Sequence, residues 1–246
     1  MTTSSNHRRT AGPRHVVVRS IERADPATID ALALVGTATV HEAIGRRGYV
    51  GPDITPIQQG ARIAGSAVTV SSHPGDNLMI HAAVEVCGRG DVLVVTNTAP
   101  STHGMFGDLL ASSLLARGVR ALVVDGGVRD TADLRAMGFP VWSRHVSCEG
   151  TVKSSPGSVN VPVVLGGQTV DPGDVMCCDD DGVVVVPRGE AGWALEQSEA
   201  RLAKEEASRA KLQAGELGVD LYGLRSKLAE LGVTYVDTLD DLDLSP

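Results

Sequence analysis

FGDLLASSLLARGVRALVVDGGVRD, residues 106–130, carries the plan of the chain. Asp108 is followed by 20 residues and then by the pair Arg129-Asp130. A strand is expected before each of these charged groups, and a helix begins at Asp108 and ends at Gly118. The first N–H groups of a helix lack internal partners, and the helix dipole adds positive potential there. The amides of Leu109 and Leu110, just behind Gly107 and Asp108, can therefore hold a carboxylate or phosphate. The run ALVV before Asp125 reads as a buried strand, and open α/β sheets bind ligands beyond the carboxyl ends of such strands. Asp125 or Asp130 could hold a hard cation there, since magnesium needs only one or two protein carboxylates. Plainer roles also fit: Asp108 as a helix cap, and Asp130 as the cap of the next helix, TADLRAMG. Taken together, an anion-binding helix start, a carboxylate for a metal and an arginine are the parts that stabilise the enolate of a 2-oxo acid.

Working outward, short apolar runs rich in Val predict strands at ARIAGSAVTV, DVLVVTN, ALVVDGG, VPVVLGG and GVVVVPR. Helices are predicted at residues 27–34, at VGTATVHEAIG with Thr37 or Thr39 as N-cap, and at NLMIHAAVEVC, DLLASSLLARG and TADLRAMG. Alternation of strand and helix argues for an α/β domain with parallel pairings. The strands between about 152 and 186 have no helices between them, so a mixed sheet or a second antiparallel layer is expected there. The expected class is thus a layered α/β/β/α sandwich with mixed sheets and a C-terminal helical arm. Residues 190–213, rich in Glu, Ala, Lys, Arg and Leu, read as one long helix with a thin apolar face. A second amphipathic helix with Leu221, Leu224, Leu228 and Leu231 on one stripe follows. The expected division is a disordered tail over residues 1–14, a catalytic domain over 15–189, and an extension over 190–246 that reaches a neighbouring subunit.

Charge narrows the function classes. The chain has 246 residues and a formal charge of -8, without the clustered Lys and Arg that nucleic acid requires. No apolar run is long enough for a membrane span, and the N-terminal stretch lacks the apolar core of a signal peptide, so the cytoplasm is expected. Cys87, Cys148, Cys177 and Cys178 show no CxxC spacing and read as buried small hydrophobes.

Other chemistry-bearing residues are sparse. Glu42 in VHEAIGRRG is a carboxylate on a mostly apolar helix, a site that also suits an exposed face residue. His81 is expected to be a hydrogen-bonded packing residue, and the histidines show no metal-ligand spacing. Lys153 is the single lysine among the first 203 residues and sits among Ser, Pro and Gly. It is expected to be exposed, which disfavours a Schiff base and leaves a metal as the electron sink. GxSxG, GxGxxG and the Walker lysine are absent.

The Asp-x20-Arg-Asp pattern resembles the class II aldolases that split 4-hydroxy-4-methyl-2-oxoglutarate and 4-carboxy-4-hydroxy-2-oxoadipate. The likeness extends through VHEAIGRRG, PGDNLMIHAAVEV and the tail KEEASRAKLQAGELGVDLYGLRSKL, and covers nearly everything after residue 20. Regulators of ribonuclease E activity share this core and generally lack the tail. The resemblance implies Mg²⁺ or Mn²⁺ with Asp130 as the only direct protein ligand, chelated by a small-molecule 2-oxo acid. It implies that the Leu109 and Leu110 amides hold the substrate carboxylate, that Arg129 faces the nascent enolate oxygen, and that Asp108 positions a water. Glu42, and Glu205 from a neighbouring subunit's arm, would assist through metal waters or proton transfer, with Glu206 the adjacent alternative to Glu205. Self-association into a trimer or hexamer and oxaloacetate decarboxylation are implied too. Two rival readings are a non-catalytic ring that inhibits a ribonuclease and, without sequence support, a quinone methyltransferase.

Overall fold

Strands buried on both faces organise the molecule. The computed structural model describes residues 15–241, so the expected tail over residues 1–14 lies outside the described residues. In chain order the elements are α1 (Pro26–Val35), α2 (Thr37–Ala43), β1 (Thr55–Pro56), β2 (Ile63–Ser72), α3 (Leu78–Val84), β3 (Asp91–Asn97), β4 (Gly104–Phe106) and α4 (Asp108–Ala116). Then come β5 (Ala121–Val128), α5 (Thr131–Ala136), β6 (Val141–Val146), β7 (Ser158–Val159), β8 (Val163–Leu165), β9 (Gln168–Val170), β10 (Val175–Asp179) and β11 (Gly182–Val186). The helices α6 (Ala191–Gln213), α7 (Gly218–Leu221) and α8 (Leu224–Glu230) close the order.

The main sheet runs β1-β6-β5-β3-β2-β10-β11, with β4 on β5 and β7 on β2. Its centre is parallel, β2 to β3 to β5 to β6, and β10 and β11 join antiparallel. Side chains alternate across a strand. Leu122 and Val124 of β5 meet the helix-side core with Ile80, Leu110, Leu114 and Leu134, while Ala121 and Val123 meet the opposite core with Trp142, Leu165 and Val170. The β8–β9 hairpin supplies the last two of those residues and so forms a second β layer. Covering on both faces explains why these strands read as unbroken apolar runs. A third cluster packs α1, α2 and the first turns of α6 on β10 and β11 through Leu32, Val40, Val184, Val186 and Ala194. The result is the mixed α/β class with C-terminal helices that the alternation predicts.

Several local expectations change. Neither Thr37 nor Thr39 caps α2: its N-cap is Gly36, and the Thr37 amide donates to the buried Asp179 carboxylate at 2.8 Å. A partner 142 residues away thus does the capping, which no local pattern reveals. Cys87, Cys177 and Cys178 are buried, and burial pushes the Cys87 and Cys177 thiols up to about 12. Cys148 is exposed, because it follows β6 on a segment that leaves the sheet.

The chain divides into two compact units, residues 1–199 and 200–246. Within the second, the expected single amphipathic helix is two short ones. Gly223, left-handed at φ 64°, ends α7's turn and starts α8. Leu224 and Leu231 are exposed there, and α7 and α8 contain no buried residue.

Candidate active site

The candidate site is built where β4 and β5 end. These strands pair in parallel, and the Arg129 amide donates to the Phe106 carbonyl at 2.9 Å, so both strands deliver their next residues to one place. Behind β4, Gly107 is the N-cap of α4, and the first helical bond runs from the Ala111 amide to the Gly107 carbonyl at 3.1 Å. The amides of Asp108, Leu109 and Leu110 precede that bond and are free to meet an anion. Behind β5 the chain turns through Asp130 into α5. A cavity of about 290 Å³ is lined by Gly107, Asp108, Leu109, Leu110, Arg129 and Asp130.

Asp130 is held in an unusual backbone state. Its φ of 55° and ψ of 38° are left-handed, a region that non-glycine residues seldom occupy and that concentrates at functional sites. Although it stands at the N-cap of α5, its side chain caps nothing. The carboxylate instead lies against Gly107, where a Cβ would come within 2.2 Å of its Oδ2. Gly107 has an extended φ of -155°, so space, and not backbone freedom, requires glycine here. Arg129 Nε donates to Asp130 Oδ2 at 3.2 Å, with the two side chains 46% and 30% exposed. Asp108 sits in the first turn of α4 and makes no capping bond either. The plain capping roles of both aspartates therefore do not hold.

Asp125 is not part of this site. Its carboxylate accepts from Arg144, which also donates to Asp53 at 2.8 Å. The hydrogen bond to Asp125 raises the Arg144 pKa, against the lowering effect of burial, and the bond to Asp53 adds to it. That charge is already matched, and the carboxylates that line the cavity are Asp108 and Asp130.

Two further carboxylates are expected to take part. Glu42 is half-buried on α2 and bonded to Arg46 Nε at 3.0 Å. Glu205, in the second unit, pairs with Arg201 at 2.8 Å and is half-buried, whereas Glu206 is exposed and pairs with Arg209.

The cavity also draws in His81 and Lys153, for which the sequence suggests packing and exposure, and Asn77 and Thr151, which no motif singles out. His81 is exposed into the cavity from α3 and is not a packing residue. Partial burial, and then the charge of Lys153, lower its pKa. The Asn77 side chain donates to the Met105 carbonyl at 3.1 Å, tying α3 to β4. Lys153 is exposed as expected, yet it opens onto the cavity and not onto a bare surface. One signal was available for it: a lone lysine in so long a stretch is worth placing.

The donors present suit a hard cation. No group of three or more His, Cys, Asp or Glu that could hold a metal occurs among the described residues. A zinc-type cage is therefore not built, whereas Mg²⁺ or Mn²⁺ can use one carboxylate and complete its shell from water and substrate oxygens. Among the described residues, no helix is long and apolar enough to cross a membrane.

Comparison with known proteins identifies the family. The family model described as RraA-like, Aldolase/RraA, matches residues 37–185, which contain the whole cavity lining. A Halalkalibacterium halodurans protein named "Putative 4-hydroxy-4-methyl-2-oxoglutarate aldolase" is 28% identical over 188 residues, 76% of this chain and 90% of that protein. The crystal structure of Streptomyces coelicolor RraAS2, described as an unusual member of the RNase ES inhibitor RraA family, is 31% identical with a TM-score of 0.69 and covers 77% of this chain and 100% of its own. The RNA-processing inhibitor RraA from Thermus thermophilis is 27% identical with a TM-score of 0.56, covering 61% and 92%. With its strand-to-helix cavity and Asp-x20-Arg-Asp pattern inside the matched span, this chain belongs to the Aldolase/RraA family.

Proposed function

We propose that the protein is a divalent-metal-dependent carbon–carbon lyase acting on 4-hydroxy-2-oxo diacids, with oxaloacetate decarboxylation as a second activity of the same site. The observation that carries this reading is Asp130, uncapped and left-handed, beside Arg129 and the free amides of α4 in one cavity. Asp130 would hold Mg²⁺ or Mn²⁺, which when bound supplies Lewis-acid polarisation of the substrate's keto group. The amides of Leu109 and Leu110 bind the adjacent carboxylate. Arg129 donates to the keto oxygen as it becomes anionic, the kind of oxyanion contact whose loss costs about 2.7–4 kcal/mol.

Both reactions then follow from one anion. In cleavage, the water that Asp108 orients takes the proton of the C4 hydroxyl, the C3–C4 bond breaks, and the electron pair moves through C3 to the keto oxygen. In decarboxylation the same bond breaks with loss of CO₂. Each leaves the enolate of pyruvate, which Asp108 helps protonate at C3 by orienting a water. The test is pyruvate release from oxaloacetate and from a 4-hydroxy-2-oxo diacid. Activity should vanish in EDTA and return with Mg²⁺ or Mn²⁺. Unchanged turnover in EDTA would refute the metal-dependent reading.

The extension over residues 190–246 is read as an arm that delivers Glu205 to a neighbouring subunit of a trimer or hexamer, with Glu42 assisting proton transfer. Its thin apolar face, with Ala191, Ala194 and Ser198 its buried residues, supports this assignment. Mixed Asp130→Ala and Glu205→Ala subunits should then be more active than either variant alone. Absence of complementation after verified subunit exchange would confine Glu205 to its own chain.

The inhibitor descriptions of two structural relatives favour a second reading, in which the chain binds and inhibits a ribonuclease. That reading needs neither Asp108 nor Asp130. A ribonuclease assay in which Asp130→Ala inhibits as well as wild type, with no pyruvate formed by either, would favour it.

A further inference from the structure

One end of the cavity is accounted for by Arg129, Asp130 and the start of α4, but its wall also includes His81 and the segment Gly150, Thr151 and Lys153. That segment is pinned to the start of α3. The Asn77 amide donates to the Val152 carbonyl at 3.0 Å, and the Val152 amide donates to the Gly75 carbonyl at 3.0 Å. Asp76, 1% exposed, accepts from the amides of Leu78 at 2.8 Å, Ser154 at 2.8 Å and Ser155 at 2.6 Å. A buried carboxylate thus holds both residues that follow Lys153, so the lysine's stem has a fixed base.

Charge matching gives this lysine a task. The Arg129 guanidinium is engaged by Asp130, while Lys153 makes no ion pair among the described residues. A 2-oxo diacid carries two carboxylates. The first sits beside the keto group, where the α4 amides receive it while Arg129 meets the keto oxygen, and the second is left without a cation at that end. An unpaired ammonium on the same cavity wall complements it. His81, next to Lys153 on the same wall, is a neutral hydrogen-bonding neighbour at pH 7, since partial burial and then the lysine charge lower its pKa.

We propose that Lys153 binds the distal carboxylate of the substrate and so determines the preference for 2-oxo diacids over 2-oxo monoacids. This rests on the enolate-forming reading of the cavity. Lys153 is a specificity residue here and takes no part in making or protonating the enolate.

The experiment compares wild type, Lys153→Met and Lys153→Arg with metal present, each checked for an unchanged melting temperature. Three quantities are measured: kcat/KM for a 4-hydroxy-2-oxo diacid, kcat/KM for the monoacid 4-hydroxy-2-oxopentanoate, and deuterium uptake at the methyl of pyruvate. Pyruvate has no distal carboxylate, so its exchange reports the enolate site alone. Lys153→Met should lose roughly 10- to 100-fold on the diacid, mainly through KM, as expected for one hydrogen-bonded charge. Its monoacid rate and pyruvate exchange should stay within about twofold of wild type, and Lys153→Arg should restore most of the diacid rate. An equal fall on diacid and monoacid, or no fall on either, overturns the role of Lys153 while pyruvate exchange persists. Absence of exchange and of cleavage in wild type itself overturns the enolate reading and this inference with it.

Discussion

Asp125 and Asp130 belong to one short stretch at the end of β5, and the fold treats them in opposite ways. At Asp125 the strand's pairing with β6 shifts register, the Asn97 side chain donates to the Asp125 carbonyl at 2.8 Å, and Arg144 binds both Asp125 and Asp53. The Asp125 carboxylate is thus paired with an arginine that a second carboxylate shares. At Asp130 the pairing with β6 has ended, the backbone is left-handed, and the carboxylate lines a cavity beside Arg129, whose Nε donates to it at 3.2 Å. Residue type does not separate a structural carboxylate from a chemical one. What separates them is where the pair sits: Asp125 shares its arginine with Asp53 away from the cavity, whereas Asp130 and its arginine both line it.

The comparison breaks first at Arg129. Arg129→Ala should lower kcat at least about 10²-fold, by the magnitude of one oxyanion donor. Arg129→Lys should recover little, because an ammonium does not reproduce the planar fork. Steady-state rates with oxaloacetate check both, and a lysine variant at wild-type kcat would make Arg129 merely structural.

Gly107 sharpens the same contrast. A methyl there meets Asp130 Oδ2 at 2.2 Å and Arg129 Cγ at 3.2 Å, so Gly107→Ala must push the carboxylate aside. Apparent Mg²⁺ or Mn²⁺ affinity should fall roughly 10-fold, as when a support of a metal ligand is lost. Metal titration against activity and a thermal melt would separate this from unfolding, since the strand pairing itself is untouched.

A third carboxylate, Asp76, gives the smallest effect at neutral pH. Burial alone would raise its pKa, but the amides of Leu78, Ser154 and Ser155, together with the Ser155 hydrogen bond, outweigh it and bring the value from 3.8 to about 2. The folded pKa is depressed, so the stabilisation is complete above the unfolded value of 3.8 and is lost as pH falls through about 2. Urea unfolding between pH 5 and pH 2 should show this loss, and Asp76→Asn should flatten that limb by lowering the stability above it, where the carboxylate contributes in full. An identical acid limb in the variant would remove Asp76 from the account.

Much of the fold was legible because coverage on both faces leaves a plain trace. β2, β3, β5 and β11 read as unbroken Val-rich runs, and the helices between them followed from spacing. β6, as VWSRHV, did not stand out, because the buried Ser143 interrupts its apolar run and Arg144 and His145 follow where the sheet reaches solvent. Whether residues 218–231 form one helix or two was decided by the backbone of Gly223, which periodicity does not report. At the site, Asp108, Arg129 and Asp130 were legible since strand ends and helix starts lie in consecutive residues. Lys153 and His81 were not. Lys153 reaches the cavity wall through Asp76, which grips Ser154 and Ser155 from 78 and 79 residues away. Bonds between residues so distant in the chain have no local signature.

The most direct test of the contrast between the two aspartates is the initial rate of pyruvate formation from oxaloacetate, at saturating Mg²⁺, for wild type, Asp125→Asn and Asp130→Asn. Asp130→Asn should show no rate above the uncatalysed background, and Asp125→Asn should retain most of the wild-type rate with a lowered melting temperature. Substantial turnover by Asp130→Asn, or equal loss in both variants, would contradict the assignment of chemistry to Asp130.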